Sequence, residues 1–209
     1  GNSSNASFDV TVTDDELPLI LDLPASLSQS NDLGACGALV SWLAPTSADN
    51  CAIESLTTSH ESGSFFDVGT TTVTYTTLDV HGNSSNASFD VTVTDDELPL
   101  ISGMPASMSQ TNDAGLCSAA VTWTAPTSSD NCAIATLTTT HEPGSVFDVG
   151  TTTVTYSTTD IHGNGSSASF DVTVTDDELP VISGMPASMS QTNDPGACGA
   201  AVTWTAPTS

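Results

Sequence analysis

The sequence predicts an all-β protein made of tandem β-sandwich modules with an 81-residue period. Three observations carry this expectation. First, Asp14-Asp15-Glu16-Leu17-Pro18 returns as Asp95-Asp96-Glu97-Leu98-Pro99 and again as Asp176-Asp177-Glu178-Leu179-Pro180, each time 81 residues on. Self-similarity at a fixed period marks an array of equal structural units. Second, residues 14–94 and 95–175 align without a gap and agree at 59 of 81 positions, so one unit has been copied. Third, apolar residues alternate with Thr and Ser in short runs, turn signals fall about every 8–12 residues, and no stretch has a helical period.

The period divides the chain into four segments. Residues 1–13 repeat Gly82–Thr94 and are expected to be the C-terminal strand of a preceding module; residues 14–94 and 95–175 are full modules. Residues 176–209 correspond to the N-terminal part of a following module, up to the counterpart of Ser128. The chain therefore reads as an excerpt from a longer array, with any targeting signal outside it. A module of about 80 residues is close to the lower limit for an independent core.

Within residues 95–175 the elements follow in order. Leu98–Ser102 and Ala106–Thr111 read as one strand interrupted at Gly103 and Pro105, residues tolerated at an edge or kink. Asn112-Asp113-Ala114-Gly115 is a turn. Cys117–Ala125 alternates, with Ala119, Val121 and Trp123 on one face, as a half-buried antiparallel strand does. Trp42, Trp123 and Trp204 keep the period, so Trp is expected at the centre of each core. Pro126–Asn131 reads as a loop, Cys132–Thr140 as a strand, His141-Glu142-Pro143-Gly144 as a turn, and Val146-Phe147 as a short strand. Thr151–Thr159, with Val154 and Tyr156 alternating, carries strong β-propensity. After the loop Asp160–Asn164, Ser167–Thr175 closes the module with Phe170, Val172 and Val174 inward.

Composition narrows the function. The chain has 25 acidic residues and neither Lys nor Arg. Without cations to meet phosphates, nucleic acid and anionic lipid are not expected partners. No apolar run reaches the roughly 18–20 residues of a membrane span, so no direct membrane insertion is expected. The charge favours solubility, repulsion between modules and recruitment of cations. Acidity with few aromatics can signal disorder, but the alternation and the periodic Trp argue for folded modules.

Cys36 and Cys51 recur as Cys117 and Cys132, and Cys198 lacks a second cysteine within the chain. The spacing suggests local disulfides, Cys36–Cys51 and Cys117–Cys132, with the partner of Cys198 at position 213, outside the excerpt. Each would close a loop of about 15 residues, worth roughly 3 kcal/mol in the chain-entropy model. Disulfides imply an oxidising compartment, hence an extracellular, cell-surface or secreted protein. Two Cys per module, with no paired His, do not supply the four ligands of a structural zinc.

Several of these runs together resemble the HYR (hyalin repeat) module. They are Asp113-Ala114-Gly115-Leu116-Cys117, Val121–Thr127, Ser129-Asp130-Asn131-Cys132, Gly150–Tyr156, and the closing Asp160-x-x-Gly163-Asn164 with Phe170-x-Val172-Thr173-Val174. The resemblance covers the whole chain and implies an immunoglobulin-like sandwich of extracellular adhesive proteins and large bacterial surface proteins. Many such modules carry a second Cys pair; here those places hold Gly103-Met104 and about Ala168-Ser169, so both partners are missing together.

The acidic triplets are the candidate site. Asp14, Asp15, Glu16, Asp95, Asp96, Glu97, Asp176, Asp177 and Glu178 lie where one module enters the next. Clustered hard oxygens without a local cation suit Ca²⁺, which takes 6–8 oxygen ligands, and Asp130, Asn131, Asp160 and Asn164 could complete a junction site. The competing reading is a solvated acidic linker that keeps near-identical neighbours apart. No cofactor is required otherwise. No G-x-S-x-G or H-E-x-x-H motif occurs, and His60, His81, His141 and His162 read as loop residues, so catalysis is not expected. Asn2, Asn5, Asn83, Asn86 and Asn164 begin N-x-S sequons, a pattern that short polar sequences reach by chance.

The expected function is therefore structural: a shaft segment of a long extracellular filament or adhesin, supporting a distal binding region. Its partners would be neighbouring modules of the same chain and, in a multi-chain fibre, parallel copies. The alternatives are a distributed binding module, with Leu39 and Leu43 as candidate contacts, and a stalk presenting an enzyme elsewhere in the polypeptide.

Overall fold

The computed structural model describes residues 1–209. It contains sixteen strands and no helix, eight strands in each full repeat. In the first repeat these are β1 (Leu19–Leu21), β2 (Leu27–Ser30), β3 (Gly37–Val40), β4 (Thr46–Ala48), β5 (Ile53–Thr58), β6 (Ser64–Asp67), β7 (Gly69–Asp79) and β8 (Ser84–Thr94). In the second they are β9 (Leu100–Ser102), β10 (Met108–Thr111), β11 (Ser118–Ala120), β12 (Thr127–Ser129), β13 (Ile134–Thr139), β14 (Val146–Asp148), β15 (Gly150–Asp160) and β16 (Gly165–Thr175). One layer of the first sandwich is the four-stranded sheet β2-β8-β7-β5; the other consists of the pairs β1-β4 and β3-β6. The second repeat has the corresponding order β10-β16-β15-β13, β9-β12 and β11-β14. These are immunoglobulin-like β-sandwiches.

The long strands β7 and β8 form the centre because their alternation puts one face wholly inside. Val73, Tyr75, Thr77 and Asp79 of β7 are buried, as are Phe89, Val91 and Val93 of β8. They pack on Ala38 and Val40 of β3 and Phe66 of β6. Burying a Val or Phe side chain contributes roughly 1.5–3 kcal/mol. The kink predicted at Gly103 and Pro105 lets the first edge strand serve both layers. Residues before it (β1, β9) pair antiparallel with β4 and β12, and residues after it (β2, β10) pair parallel with the last strand. Gly103 turns with φ 77°, and its counterpart Asp22 adopts φ 58°.

The chain divides into two compact units. The first comprises residues 1–104, 126–139 and 155–168; the second comprises 105–125, 140–154 and 169–209. The first holds the whole of the first sandwich, the linker Asp95–Pro99, and the second repeat's Asn131, Cys132 and Asp160–Asn164. The second contains Ala119, Val121, Phe147, Val154, Phe170, Val172 and Val174 as buried residues.

Three expectations are corrected. Trp is not the core centre: Trp42 and Trp123 are half-buried and Trp204 is 62% exposed. The Trp42 ring lies edge-on to Phe66 and Phe89, and its Nε1 donates to Tyr75 Oη at 2.9 Å, so it covers the rim of a valine-rich core. An indole is too large and too polar at nitrogen for a sandwich this thin to enclose fully. The segment read as a loop at Pro126–Asn131 contains β12, and the strand read over Cys117–Ala125 is laddered only at Ser118–Ala120. Residues 1–13, expected to close a preceding module, form no strand within this chain, and Phe8, Val10 and Val12 are exposed. Residues 176–209 form a single bridge, Ser183↔Thr208, the counterpart of Ser102↔Thr127. That pairing lies within the first part of a module; the remaining pairings of those strands need strands from its later part.

Candidate functional site at the module junction

The junction lies within the first unit, and the triplet Asp95-Asp96-Glu97 faces two ways. The Asp95 side chain, fully buried, turns to the second repeat: Oδ2 is 3.2 Å from His162 Nδ1, and Oδ1 accepts from Asn131 Nδ2 at 3.1 Å. Its backbone carbonyl accepts from Asn164 Nδ2 at 3.2 Å. Asp96 and Glu97 turn back to the first repeat. Asp96 Oδ2 accepts from Ser30 Oγ at 2.7 Å, and its N–H donates to Asn31 Oδ1 at 3.2 Å. Glu97 Oε1 accepts from the Gly34 N–H at 2.7 Å. Three adjacent carboxylates repel, and with no Lys or Arg in the chain they part, Asp95 to Asn131 and His162 of the second repeat, Asp96 and Glu97 to the Ser30–Gly34 segment of the first. A hydrogen bond to a charged acceptor contributes about 1.5–3 kcal/mol when protected from water.

A disulfide closes the same junction. Cys36 of the first repeat is bonded to Cys132 of the second, 96 residues on, with a Cα–Cα distance of 4.6 Å. Beside it, Asn131 Nδ2 donates to the Ala35 carbonyl at 3.0 Å. This overturns the expected Cys36–Cys51 and Cys117–Cys132 pairs; Cys51, Cys117 and Cys198 are exposed free thiols. The reason is geometric. Cys36 lies in the turn before β3 and Cys51 before β5, and the partner loop reaching Cys36 is the one from the next repeat. Spacings of 15 and 96 differ by one period, so identical copies leave the choice open in sequence.

The loops that receive Asp14 and Asp95 are themselves built around a buried acid. Asp79 Oδ1 accepts from the N–H groups of His81 and Asn83 at 2.8 and 2.9 Å, and Oδ2 accepts from Asn83 Nδ2 at 2.8 Å. Gly82 makes the turn with φ 95°. Asp160, Asn164 and Gly163 repeat the arrangement. Burial pushes both carboxyls up, but the Asn83 or Asn164 side chain and the loop N–H groups outweigh it and hold them below the usual carboxylate value. These same contacts occupy the amide nitrogens of Asn83 and Asn164, which makes those two sequons structural; Asn86 is exposed.

The predicted metal ligands do not converge as triplets. Asp14, Asp49 and Asp79 instead place a carboxylate oxygen each within 4.8 Å of one another. Asp15 and Glu16 stand apart from this group, as do Asp96 and Glu97 at the next junction; Asp177 and Glu178 bind back to the loop Asn112–Gly115. Asp49 Oδ1 is sealed from solvent with no hydrogen-bond donor, and so is its counterpart Asp130 Oδ1. Three hard oxygens at this separation, one of them unsatisfied, fit a Ca²⁺ ion. Hydrogen bonding to the Cys51 thiol, opposed by burial and helped by the Glu16 N–H, Asn50 and His81, holds Asp14 below the ordinary carboxylate value.

A tandem series of immunoglobulin-like sandwiches, joined by disulfide across a short acidic linker, defines an extracellular repeat protein, since such bonds persist in oxidising surroundings. The profile of the HYR domain family matches residues 13–93 and 94–174, and the chain belongs to that family. Hyalin from Lytechinus variegatus is 33% identical over 217 residues, covering 100% of this chain and 41% of that protein. Hyalin from Strongylocentrotus purpuratus is 39% identical over 175 residues, covering 80% of this chain and 15% of that protein. The chain thus spans less than half the length of these relatives. Among solved structures, the protocadherin GammaB4 extracellular domain aligns over 77% of this chain and 32% of its own, with 16% identity and a TM-score of 0.35.

Proposed function

We propose that the chain is a shaft segment of a long extracellular filament or cell-surface adhesin, holding a distal binding region away from its base. The observation that carries this reading is the junction, where a disulfide and hydrogen bonds from all three linker carboxylates tie one sandwich to the next. A flexible tether would leave such a linker solvated. Under tension the disulfide bypasses the residues between Cys36 and Cys132, which cannot then lengthen. The acidic surface, with no basic residue, keeps parallel copies dispersed unless cations bring them together. Ca²⁺ at Asp14, Asp49 and Asp79 belongs to the same reading, bracing the loops that meet the linker. The reading assigns the modules no catalysis, and the hyalin relatives support a repeat protein of the extracellular adhesion type.

A distributed binding role has one observation in its favour. Leu39 and Phe65 are paired across β3 and β6 on the outer face and are 60% and 49% exposed. The second repeat has Ala120 and Val146 there, which makes any shared contact surface uneven. Electron microscopy of producing cells, labelled with antibody against the module, tests the shaft. Label strung along thin surface fibres is the expected result; label confined to the cell body or to compact particles would overturn it.

A further inference from the structure

The cavity at the end of the second repeat corresponds, position for position, to the place where Asn131 and Cys132 are seated on the first, with Leu116 in place of Ala35. It measures about 360 Å³ and is lined by Asn112, Gly115, Leu116, Cys117, Asp176 and Glu178, with Leu179 and Pro180. Glu178 and Asn112 of the lining, with the adjacent Asp177, make the contacts their counterparts make in the filled junction. Glu178 accepts from the Gly115 N–H at 2.8 Å, as Glu97 does from Gly34. The Asp177 N–H donates to Asn112 Oδ1 at 3.3 Å, as that of Asp96 does to Asn31. Asn112 Nδ2 donates to the Leu116 carbonyl at 2.7 Å, as Asn31 does to Ala35. The Ala35 carbonyl also accepts from Asn131, and Cys36 carries the bond to Cys132. Cys117, counterpart of Cys36, is an exposed thiol.

We infer that this cavity is a preformed socket for the Asp-Asn-Cys loop of a further module of the same kind, with Cys117 as its covalent anchor. The loop's Asn amide donates to the Leu116 carbonyl and its Cys bonds to Cys117. The first cysteine of each module then joins the second cysteine of the next, and every junction of a continuing array is closed in the same way. Bond formation converts two thiols to one disulfide. A low-molecular-weight disulfide takes up the two electrons and two protons and leaves as two thiols. The socket stands independently of the shaft reading, since a binding array could be closed in the same manner.

The test uses the intact 209-residue chain and a synthetic peptide copying residues 127–134, Thr-Ser-Ser-Asp-Asn-Cys-Ala-Ile, its Cys activated as a 2-thiopyridyl disulfide. Attack by a protein thiolate forms the mixed disulfide and releases pyridine-2-thione. Cys51, Cys117 and Cys198 are all exposed, so the two others serve as internal controls. The expected result is labelling of Cys117 at least about tenfold faster than of Cys51 or Cys198, equivalent to about 1.4 kcal/mol of docking. A peptide with Ala in place of Asn loses that preference, while a short unrelated activated thiol shows none. Equal labelling of the three cysteines, or equal rates for the Asn and Ala peptides, would overturn the socket and leave the microscopy of the shaft unaffected.

Discussion

Removing the Cys36 thiol by Cys36→Ser should produce the largest loss of stability available from a single surface substitution in this chain. The bond spans 96 residues. In the chain-entropy model a loop of about 100 residues is worth about 4.7 kcal/mol, against roughly 3 kcal/mol for one of about 15. For a unit of about 150–250 residues each kcal/mol shifts Tm by about 2–4 °C, so the expected fall is roughly 10–20 °C. Magnitude alone does not separate the pairings, but the pattern of variants does. Cys132→Ser should match Cys36→Ser, while Cys51→Ser and Cys117→Ser should leave Tm within about 1 °C of the parent. Local pairing would instead make Cys51→Ser as costly as Cys36→Ser, and that result would refute the cross-module bond. Peptide mapping is an independent check. Trypsin has no site in a chain without Lys or Arg, but cleavage after Glu gives residues 17–54 and 98–178, with Glu142 spared by Pro143. After free thiols are blocked, the cross-module bond makes these two peptides one species that separates on reduction; local pairs would leave them separate from the start.

Three further outcomes are expected. Pulled from its ends, the oxidised chain should extend about 350 Å less than the reduced chain, because about 96 residues at up to 3.6 Å each stay behind the disulfide; equal extensions would contradict the load path. Millimolar Ca²⁺ should raise Tm in the parent and not in Asp49→Asn, measured by calorimetry at fixed ionic strength; an unchanged parent Tm would remove the metal from the junction. Asp79 and Asp160 are held below the ordinary carboxylate value, so they stabilise the fold above about pH 4 and lose that contribution as pH falls through their folded values. Acid titration by circular dichroism should therefore show unfolding set in below about pH 4, and Asp160→Asn should flatten that limb while lowering stability at neutral pH.

The period, the all-β class and most of the core were legible in the sequence because they depend on local pattern. Alternation assigned Phe170, Val172 and Val174 to the inside, and all three are buried. The same reasoning overrated Trp: periodicity reveals that a residue is retained in every copy but not whether the layer is thick enough to enclose it. The ladder β9–β12 escaped notice because Thr127–Ser129 has no alternation of its own and becomes a strand only through its partner.

The amino-acid sequence by itself determined that this is a tandem array, that its modules are sandwiches, and that acid and cysteine chemistry gather at fixed points of each copy. Only the tertiary structure decided which copy each group serves. Asp95, Asp96 and Glu97 are consecutive in the chain yet bind opposite neighbours. Cys36 lies 15 residues from one cysteine and 96 from another, and bonds the farther. In a repeat the sequence is the same one period on, so every local signal is defined only up to a shift of 81 residues. That degeneracy is removed by the spatial meeting of one module's end with the next module's loops.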